Sequence, residues 1–406
     1  MKTVDRILRS IGERTGICFR VVFSNGTQYQ NRDGTPAFTL TFKSRFAGWR
    51  TALLGHVGLI ESYITQSVDI DGELALAFRA AYEGGFDMRP RLLVRIRNRW
   101  HEVRYSNASI AQAKPNARFH YALGTDFYRL WLDHPYMMYT CAYWTDGTTT
   151  IEEAQQNKME HVCRKLCLKP GETLLDLGCG WGGLSFYAFE RYGVVPTGLN
   201  TIPEQLKEMR DQIKRRGLEG RINAVEADFR EVQSQFDKCA SIGVLEHAGR
   251  DQIAEVVQAH ADCLKPGGIG LLHFIGHVGH YDTEFLIRKY VFPGGWIPSL
   301  AETITAMERA GLEILDIENL RRNYALTLDA WAERFDANWE RIRALDPKKF
   351  DERFRRIWRT YLYSCAEMFR SARGYTHLFQ ITYSKGNVGR DYPMSRAHLY
   401  TGDAPR

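Results

Sequence analysis

The stretch TLLDLGCGWGG, residues 173–183, decides the fold of this chain of 406 residues. It begins as a short apolar run, which is typical of a buried strand, and ends in four glycines, Gly178, Gly180, Gly182 and Gly183. Glycines at a strand-to-helix junction let the backbone approach a ligand closely, and the following helix presents unpaired amide groups to it. The stretch therefore predicts a strand, a ligand-binding turn and a helix.

Strands and helices alternate after this turn. The continuous apolar runs VVPTGLN (194–200) and IGLLHFIG (269–276) are typical of strands that are covered by helices on both faces. Between them, PEQLKEMRDQIKRRG (203–217) has the apolar spacing of a helix. We therefore predict an α/β fold with a doubly wound, mostly parallel, Rossmann-like sheet.

Composition divides the chain into three parts. Residues 1–110 mix strand-like runs with a helical stretch, which predicts a smaller α+β domain at the N-terminus, and we expect it to be a lipid-binding or accessory domain. The segment TTTIEEAQQNKMEHVCRKLCLKPGE (148–172) starts with a threonine cap and glutamates and ends in Pro-Gly, as a helix does. We predict a catalytic domain over residues 111–390 and a C-terminal tail over 391–406.

Three details of the glycine turn favour S-adenosylmethionine (SAM) over a nicotinamide or flavin nucleotide. The turn reads GxGxG with Asp176 just before it, rather than GxGxxG. The second strand ends in GLN, without the acidic residue that usually holds the ribose of NAD. The sequence EADF then places Asp228 and Phe229 where an adenine could be hydrogen-bonded and stacked. The turn therefore predicts a SAM-dependent methyltransferase.

The charge and the distribution of apolar residues limit the possible partners and the cellular compartment. The net charge is +6, and arginines cluster in RPRLLVRIRNRW (89–100) and ERFRRIWRT (352–360). Such clusters suit phospholipid headgroups or nucleic acid, or are simply solvated faces. The first residues, MKTVDRILRS, lack the apolar run of a secretion signal, and no stretch is long enough to span a bilayer. We expect a cytoplasmic protein.

The sequence favours no metal site. Cys163 and Cys167 are four residues apart on the predicted helix, and His161 is nearby, but no further ligands stand at a suitable spacing. The other six cysteines are scattered along the chain. We therefore expect no bound metal.

The segment HYALGTDFYRLWLDHPYMMYTCAYW (120–144) crowds ten aromatic or methionine side chains around a single cysteine, Cys141. A helix packed into the core is one explanation of this pattern. The other is an apolar site lined with π-faces, in which a cation could be stabilised. The residues of this segment alone leave both interpretations open.

Six segments in order resemble one family. They are HYALGTDFYRLWLD with YTCAYW, LDLGCGWGG, VLEHAG, LLHFIG, YVFPGGWIPS and NYALTLDAWAERF, and they resemble cyclopropane-fatty-acyl-phospholipid synthases and their mycolic-acid relatives. The resemblance runs from about residue 115 to 386. The first hundred residues resemble the N-terminal domain of the bacterial phospholipid-modifying members, which the mycolic-acid enzymes lack.

The resemblance implies methylene transfer from SAM to the double bond of an unsaturated acyl chain in a membrane phospholipid. The carbocation formed there needs apolar, π-rich walls, which would come from Phe127, Tyr128, Trp131, Tyr139, Tyr143 and Trp144. In this family a bound bicarbonate is the base that closes the ring. The corresponding positions are Cys141, Glu246, His273 and Tyr324, with the backbone at Ile275 near the anion.

The resemblance also implies a set of SAM contacts: Tyr139, Thr140, Gly178, Gly180, Asn200, Thr201, Gln205 and Phe229. Some positions depart from the family's usual pattern. Thr140 replaces a serine and Asn200 a threonine, and both substitutes can still form hydrogen bonds. Ala122 and Thr125 replace an aspartate and an asparagine next to the acyl and bicarbonate sites. These two changes bear on whether the product is a cyclopropane or an exomethylene or methyl-branched chain, and the complete bicarbonate set favours the ring.

Three other classes compete with this interpretation. A thiol hydrolase could pair Cys141 with His120 or His273, and a lipid-binding scaffold could keep the fold without activity. A nucleic-acid methyltransferase would be expected to have an Asn/Asp-Pro-Pro-aromatic motif after the fourth strand, where this chain has VLEHAG. We expect no nucleic-acid partner, but a phospholipid at the inner face of the membrane, with a homodimer as one option for assembly.

Overall fold

The computed structural model describes residues 2–85 and 92–400, and these form two compact units. The first unit consists of Met1–Arg104, Glu284–Val291 and Leu328–Gly374, and the second of Tyr105–Thr283, Phe292–Thr327 and Tyr375–Arg406. Both units are therefore discontinuous in sequence. The domain boundaries at residues 110 and 390 stay predictions, and they did not anticipate the two later segments of the first unit.

The strands, in chain order, are β1 (Phe19–Val22), β2 (Gln28–Gln30), β3 (Phe38–Phe42), β4 (Val68–Gly72), β5 (Thr173–Leu177), β6 (Val195–Asn200), β7 (Asn223–Glu226), β8 (Phe236–Ile242), β9 (Leu264–His277), β10 (Leu312–Asn319) and β11 (Thr376–Lys385). The first four form a sheet in the order β2-β1-β3-β4 within the first unit. Alternate residues of β3, Phe38, Leu40 and Phe42, are buried, because successive side chains of a strand point to opposite faces.

The second unit contains a seven-stranded sheet in the order β10-β11-β9-β8-β5-β6-β7. The five strands from β9 to β7 are parallel, and β11 and β10 continue the sheet antiparallel at one edge. The predicted doubly wound, mostly parallel sheet is therefore confirmed. The strand order reverses its direction at β5, next to β8, and in open sheets of this kind ligands bind at the carboxyl ends of the strands at such a point.

Helices flank both sheets. They are α1 (Lys2–Arg14), α2 (Arg45–Leu54), α3 (His56–Ile64), α4 (Leu74–Glu83), α5 (Leu92–Arg104), α6 (Ile110–Tyr121), α7 (Thr125–Arg129), α8 (Ile151–Lys165), α9 (Gly183–Tyr192), α10 (Pro203–Arg215), α11 (Ile253–Asp262), α12 (Phe285–Tyr290), α13 (Leu300–Arg309), α14 (Arg321–Ala337), α15 (Trp339–Leu345), α16 (Glu352–Arg370) and α17 (Ala397–Tyr400). Among the described helices, none is long and apolar enough to cross a membrane.

Local sequence explains where several elements begin and end. Helix α8 starts where the threonine and glutamates predicted it, because Thr150 and Glu153 form a capping box. Strand β8 ends at Ile242, because Gly243 adopts a φ of 70° and Leu245–His247 forms a 3-10 turn. This ending places Glu246 on a turn beyond the end of a parallel strand.

The aromatic segment is not one continuous helix. Helix α6 ends at Tyr121, α7 covers five residues, and residues 130–150 have little regular structure. The interpretation of a single core helix is therefore wrong, because Gly124 breaks the helical run with a φ of 101°.

Candidate active site

The glycine turn between β5 and α9 has a backbone that only glycine tolerates well. Gly178, Gly180 and Gly182 have φ values of 72°, 56° and 89°. A Cβ on Gly178 would lie 2.4 Å from Cγ2 of Val244, and one on Gly183 would lie 2.5 Å from Sδ of Met138. The turn thus combines a left-handed backbone with close approach of neighbouring side chains, and only at Gly180 would an added Cβ meet open space.

A cavity of about 160 Å³ lies at this turn, within the second unit. All ten residues that the sequence indicated for the cofactor line it: Tyr139, Thr140, Asp176, Gly178, Gly180, Asn200, Thr201, Gln205, Asp228 and Phe229. Other lining residues that the sequence did not single out for this role include Trp181, Tyr121 and His247. The structure therefore brings the predicted set together, and its assignment to a cofactor stays a prediction.

Most polar side chains of this cavity are bonded within the protein. The hydroxyl of Ser185 donates to Oδ2 of Asp176 at 2.7 Å, and burial raises the pKa of Asp176 to about 6. The amide of Asn200 donates to Oε1 of Gln205 at 2.8 Å and to the carbonyl of Gly180 at 3.3 Å. These bonds connect the turn to the end of β6 and keep the cavity wall in place.

Asp228 is held by a neighbouring arginine. Nε and Nη2 of Arg230 donate to its two carboxylate oxygens at 2.7 and 2.8 Å, and the guanidinium lies 5.0 Å from the centroid of Phe229. Both oxygens of Asp228 therefore have a cationic partner already. A hydrogen bond from an adenine, which the sequence suggested for Asp228, would have to share this carboxylate with Arg230.

The aromatic residues of the 120–144 segment divide into two groups. Phe127, Tyr128 and Trp131 are buried, and the rings of Tyr128 and Trp131 lie 5.3 and 5.2 Å from that of Tyr139. Tyr128 also lies 5.2 Å from Trp181 of the glycine turn, so this group reaches the cofactor cavity.

The other two predicted rings lie elsewhere. Tyr143 stacks on His161 with the ring centroids 4.3 Å apart, and the indole of Trp144 donates to the hydroxyl of Thr327 at 3.1 Å. Four of the six predicted rings thus form one cluster.

Glu246, Ile275 and His273 meet where β8 and β9 end. The backbone amide of Ile275 donates to Oε1 of Glu246 at 2.6 Å, and the amide of Gly243 donates to the carbonyl of His273 at 2.8 Å. His273 and Ile275 are two residues apart on β9, so their side chains point to the same face of the sheet. Burial raises the pKa of Glu246 to about 7 and lowers the pKa of His273 well below its usual value.

Two polar atoms of this group have no hydrogen-bond partner among the described residues. They are Oε2 of Glu246 and Nε2 of His273, and both are buried. Burying an unsatisfied polar atom costs about 1–3 kcal/mol. A polar group bound there would supply the hydrogen bonds that these two atoms lack.

The segments that carry Cys141 and Tyr324 are joined by a hydrogen bond to α14. The amide of Ala142 donates to the hydroxyl of Thr327 at 3.1 Å, and Tyr324 precedes Thr327 by one helical turn, so both lie on one face of α14. Burial raises the pKa of the Cys141 thiol strongly, which keeps it protonated. A buried, protonated thiol argues against Cys141 as a nucleophile in a hydrolase.

The start of α14 lies next to β9 through β11. The amide of Leu320 donates to the carbonyl of Leu378 at 2.8 Å, and Leu378 pairs with Ile275 in the sheet. The segments that carry Tyr324 and Ile275 are therefore neighbours within the second unit.

Comparison with known proteins identifies the family. Residues 108–381 match the family model described as mycolic acid cyclopropane synthetase, which is more than half of the chain. The chain belongs to this family. The resemblance found in the sequence is confirmed, and with it the activity class: the protein is a SAM-dependent methyltransferase of the group that modifies lipid acyl chains.

Individual members of the cyclopropane synthase family agree with this. The chain is 38% identical over 295 residues to a probable fatty acid methyltransferase of Pseudomonas putida, covering 70% of this chain and 72% of the relative. It is 38% identical over 268 residues to the cyclopropane-fatty-acyl-phospholipid synthase of Escherichia coli K12, covering 66% and 67%. A solved structure of the mycolic acid cyclopropane synthase CmaA1, complexed with SAH and CTAB, is 31% identical, with a TM-score of 0.62, covering 67% of this chain and 98% of that one.

The structure of this cyclopropane synthase family member shows two polar residues near the predicted site that the sequence did not indicate. Lys158 of α8 is fully buried, its Nζ donates to the hydroxyl of Thr140 at 2.8 Å, and burial lowers its pKa to about 8 although Asp133 opposes the shift. Gln380 of β11 is also fully buried and donates to Nδ1 of His273 at 3.0 Å. The sequence gives no signal that Lys158 or Gln380 points inward and contacts Thr140 or His273.

The two departures from the family's pattern lie in different surroundings. Ala122 is exposed at the end of α6. The hydroxyl of Thr125 accepts a hydrogen bond from the indole of Trp181 at 3.2 Å, so it contacts the glycine turn. The substitution at Thr125 therefore retains a polar contact with the cofactor cavity.

Proposed function

We propose that this methyltransferase transfers a methylene group from SAM to the cis double bond of an unsaturated acyl chain in a membrane phospholipid, forming a cyclopropane with bicarbonate as the base. The observation that carries the proposal is the pair of buried, unpartnered atoms, Oε2 of Glu246 and Nε2 of His273. On this proposal the enzyme acts at the membrane surface, from the cytoplasmic side. A homodimer stays a prediction of the sequence.

The residues around this pair fit a bicarbonate ion. A hydrogen carbonate anion has one proton to donate and several oxygens that accept. Glu246 in its ionised form is an acceptor for that proton, and the buried, neutral imidazole of His273 supplies a donor through Nε2. Cys141 and Tyr324 complete the set that would hold the anion, with the thiol protonated and therefore uncharged.

Ile275 supports the anion in a different way from the one expected. Its backbone amide donates to Glu246 rather than being left for the anion. This bond fixes the carboxylate so that Oε2 is the oxygen available for the ion, and it lowers the pKa of Glu246 against the effect of burial.

The cavity at the glycine turn fits SAM. It combines the left-handed glycines with the amide and hydroxyl side chains of Asn200, Gln205, Thr140 and Thr201. SAM, when bound, supplies an electrophilic methyl group to the acyl double bond. The rings of Tyr128, Trp131 and Tyr139 exclude water and stabilise positive charge on the acyl chain, each by about 0.5–2 kcal/mol when well placed.

The base then removes a proton from the added methyl group, which closes the ring. Glu246 accepts the proton of the bicarbonate and so raises the basicity of the anion. In the second candidate outcome, a hydride shift precedes proton loss and gives an exomethylene or methyl-branched chain. The Pseudomonas putida relative is named a probable fatty acid methyltransferase, and that name is consistent with this second outcome.

The product decides between these outcomes. Purified protein is incubated with SAM, bicarbonate and a phospholipid with one cis double bond, and the lipids are analysed by mass spectrometry before and after ozonolysis. We expect a product heavier by one methylene group that survives ozonolysis. A mid-chain ketone would show an exomethylene instead, and no SAM-dependent mass change in lipid would refute the proposal. Omission of bicarbonate, with carbon dioxide purged, tests the base separately.

A further inference from the structure

We propose that the outward faces of α2 and α5 bind the surface of an anionic phospholipid bilayer. The proposal rests on the proposed function, because an acyl chain within a bilayer must be reached from its surface. These faces carry eight exposed apolar side chains within the first unit: Phe46, Trp49, Leu53, Leu92, Leu93, Ile96, Trp100 and Val103. Exposed apolar clusters of this kind mark protein or membrane interaction sites.

Helix α5 is amphipathic, but most of its apolar side chains lie on its exposed side. With about 100° per residue, Leu92, Leu93, Ile96, Trp100 and Val103 fall within an arc of about 100°. Trp100 and Val103 are each 67% exposed and Leu92 is 69% exposed. The buried residues Val94, Asn98 and His101 lie on the opposite side and attach the helix to the unit.

Arginines flank this apolar arc on both sides. In the same projection Arg95 and Arg99 lie along one border, and Arg97 and Arg104 along the other; Arg97 also pairs with Glu61, and Arg99 with Glu102. The helix has four arginines and one glutamate, Glu102, so its formal charge is +3. An apolar face with cationic borders matches a bilayer surface, where apolar side chains enter the acyl boundary and guanidinium groups meet the phosphates.

Helix α2 repeats the arrangement. Phe46, Trp49 and Leu53 lie on one face, and Phe46 stacks on Trp49 with the ring centroids 6.1 Å apart. Arg45 borders that face, Arg50 on its other border is paired with Glu61, and the helix contains no acidic residue. Tryptophan is enriched at membrane interfaces because its ring is amphipathic.

Both helices are fixed from behind, so their apolar faces are not needed to hold the unit together. Glu61 of α3 is fully buried and pairs with Arg50 of α2, Arg97 of α5 and Lys289 of α12. Val94 of α5 packs in a separate apolar cluster with Val57 of α3. The exposed apolar side chains therefore remain outside a structure that is already packed.

The test is flotation of the full chain with vesicles of phosphatidylethanolamine and phosphatidylglycerol, and with neutral phosphatidylcholine vesicles. We expect binding to the anionic vesicles that weakens as salt rises. The double variant Leu93→Glu, Trp100→Glu should lose tenfold or more of this binding, and Trp49→Glu should lose several-fold. Leu345→Glu is the matched control, because Leu345 is an exposed apolar residue of the same unit, 46% exposed, outside both faces.

Equal flotation of the double variant and the wild type would overturn the proposal, as would equal binding of the wild type to neutral and anionic vesicles. If the double variant does not fold, Arg95→Gln with Arg99→Gln replaces it and should reduce the anionic binding. Wild-type activity on detergent-dispersed phospholipid is measured in parallel. Its absence would count against the proposed function, whereas flotation reports on the two helices alone.

A separate observation supports a second inference: Gln380 is a positioning residue for His273. In the amide orientation of the structure, the side-chain nitrogen Nε2 of Gln380 lies 3.0 Å from Nδ1 of His273 and donates to it, so Nδ1 accepts. The proton of the neutral imidazole is then on Nε2, the atom that has no partner among the described residues. Gln380 thus sets the tautomer that presents an N–H group to an anion.

Gln380→Leu removes this donor at nearly constant volume, and Gln380→Met is a second variant if the first does not fold. We expect the bicarbonate concentration for half-maximal activity to rise about fivefold or more, with unchanged affinity for SAM. In nitrogen-15 spectra, the His273 signals should change from the Nε2–H form to a mixture of tautomers. The signals are assigned with His273→Gln.

Thr382→Val is the control, because Thr382 is also buried on β11 and has its side chain on the same face as Gln380. It should leave both the bicarbonate dependence and the spectrum unchanged. A Gln380→Leu protein with wild-type tautomer and wild-type bicarbonate dependence would refute the inference. A wild-type enzyme that does not depend on bicarbonate would refute the proposed base instead.

Discussion

The cofactor cavity and the Glu246–His273 group differ in how far their polar side chains are hydrogen-bonded within the protein. Around the cavity, Asp176 is bonded to Ser185, Asn200 to Gln205, and Asp228 to Arg230. At the ends of β8 and β9, Oε2 of Glu246 and Nε2 of His273 are buried without a partner among the described residues. The polar side chains around the cavity are therefore bonded within the protein, whereas the second group keeps two buried atoms whose partners the described residues do not supply.

The difference follows from how each region is built. The cavity depends on backbone shape, which glycines fix over a few consecutive residues. The second group depends on side chains from separate segments, which only the sheet and α14 bring together. We therefore expect the two regions to respond differently to substitution, and the following predictions test that contrast.

The largest effect is expected at Glu246. Glu246→Gln keeps the shape of the side chain but removes the acceptor, so turnover should fall by about 100-fold or more, as for loss of a general base. SAM affinity, measured by calorimetry, should stay within about twofold, because Glu246 does not line the cavity. Near-normal turnover in this variant would remove Glu246 from the mechanism.

The opposite pattern is expected at Gly178. Gly178→Ala forces an alanine to a φ of 72° and places its Cβ 2.4 Å from Val244, so SAM affinity should fall about tenfold or more. Gly217→Ala is the control, since Gly217 has a φ of 61° with no atom near its Cβ position. If both variants bind SAM equally well, the close contact at Gly178 is not what shapes the cavity.

The titration of Glu246 gives a prediction for stability. The pKa of Glu246 is raised by burial from about 4.5 to about 7, so the folded protein binds this proton more tightly than the unfolded chain. The resulting contribution is full below pH 4.5 and is lost as pH rises through 7, by about 3 kcal/mol at most.

Denaturant unfolding at several pH values, compared between wild type and Glu246→Gln, isolates this contribution. His247, whose pKa is lowered to about 4, titrates in both proteins and so cancels in the difference. Activity should rise with pH across the same range, because the carboxylate form is the acceptor. Parallel stability curves for the two proteins would show that Glu246 is not buried as described.

The smallest effect is expected at Cys141. Its thiol is buried and its pKa is raised, so iodoacetamide should not modify it in the folded protein at pH 8, as peptide mass spectrometry would show. Cys141→Ser should lower turnover only several-fold, because the hydroxyl can replace one hydrogen-bonding contact to the anion. Complete loss of activity with rapid alkylation of the wild type would instead indicate a nucleophilic thiol.

The sequence predicted the sheet and the glycine turn well because both depend on local patterns. Apolar runs mark β5, β6 and β9, and Gly178 and Gly180 mark the turn. What it missed depends on distant contacts. Lys158 and Gln380 look like ordinary residues of a helix and a strand, and their contacts with Thr140 and His273 come from segments 18 and 107 residues away.

The family resemblance supplied positions that periodicity could not. Cys141, Glu246, His273 and Tyr324 were indicated only by matching motifs, and no spacing rule connects them. The division of the aromatic segment into two clusters was equally hidden, because it depends on Gly124 and on a stacking partner, His161, outside that segment.

The discontinuity of the first unit has a consequence for how the chain is made. Glu61 pairs with Lys289, and Arg79 of α4 pairs with Glu367 of α16, which follows it by 288 residues. During synthesis the N-terminal segment emerges first, but Lys289, which pairs with Glu61, and helix α16, which carries Glu367, arrive only after most of the second unit. A ribosome-stalled chain of about 110 residues should therefore stay sensitive to protease, and protection of its N-terminal sheet should appear only once residue 374 has left the exit tunnel.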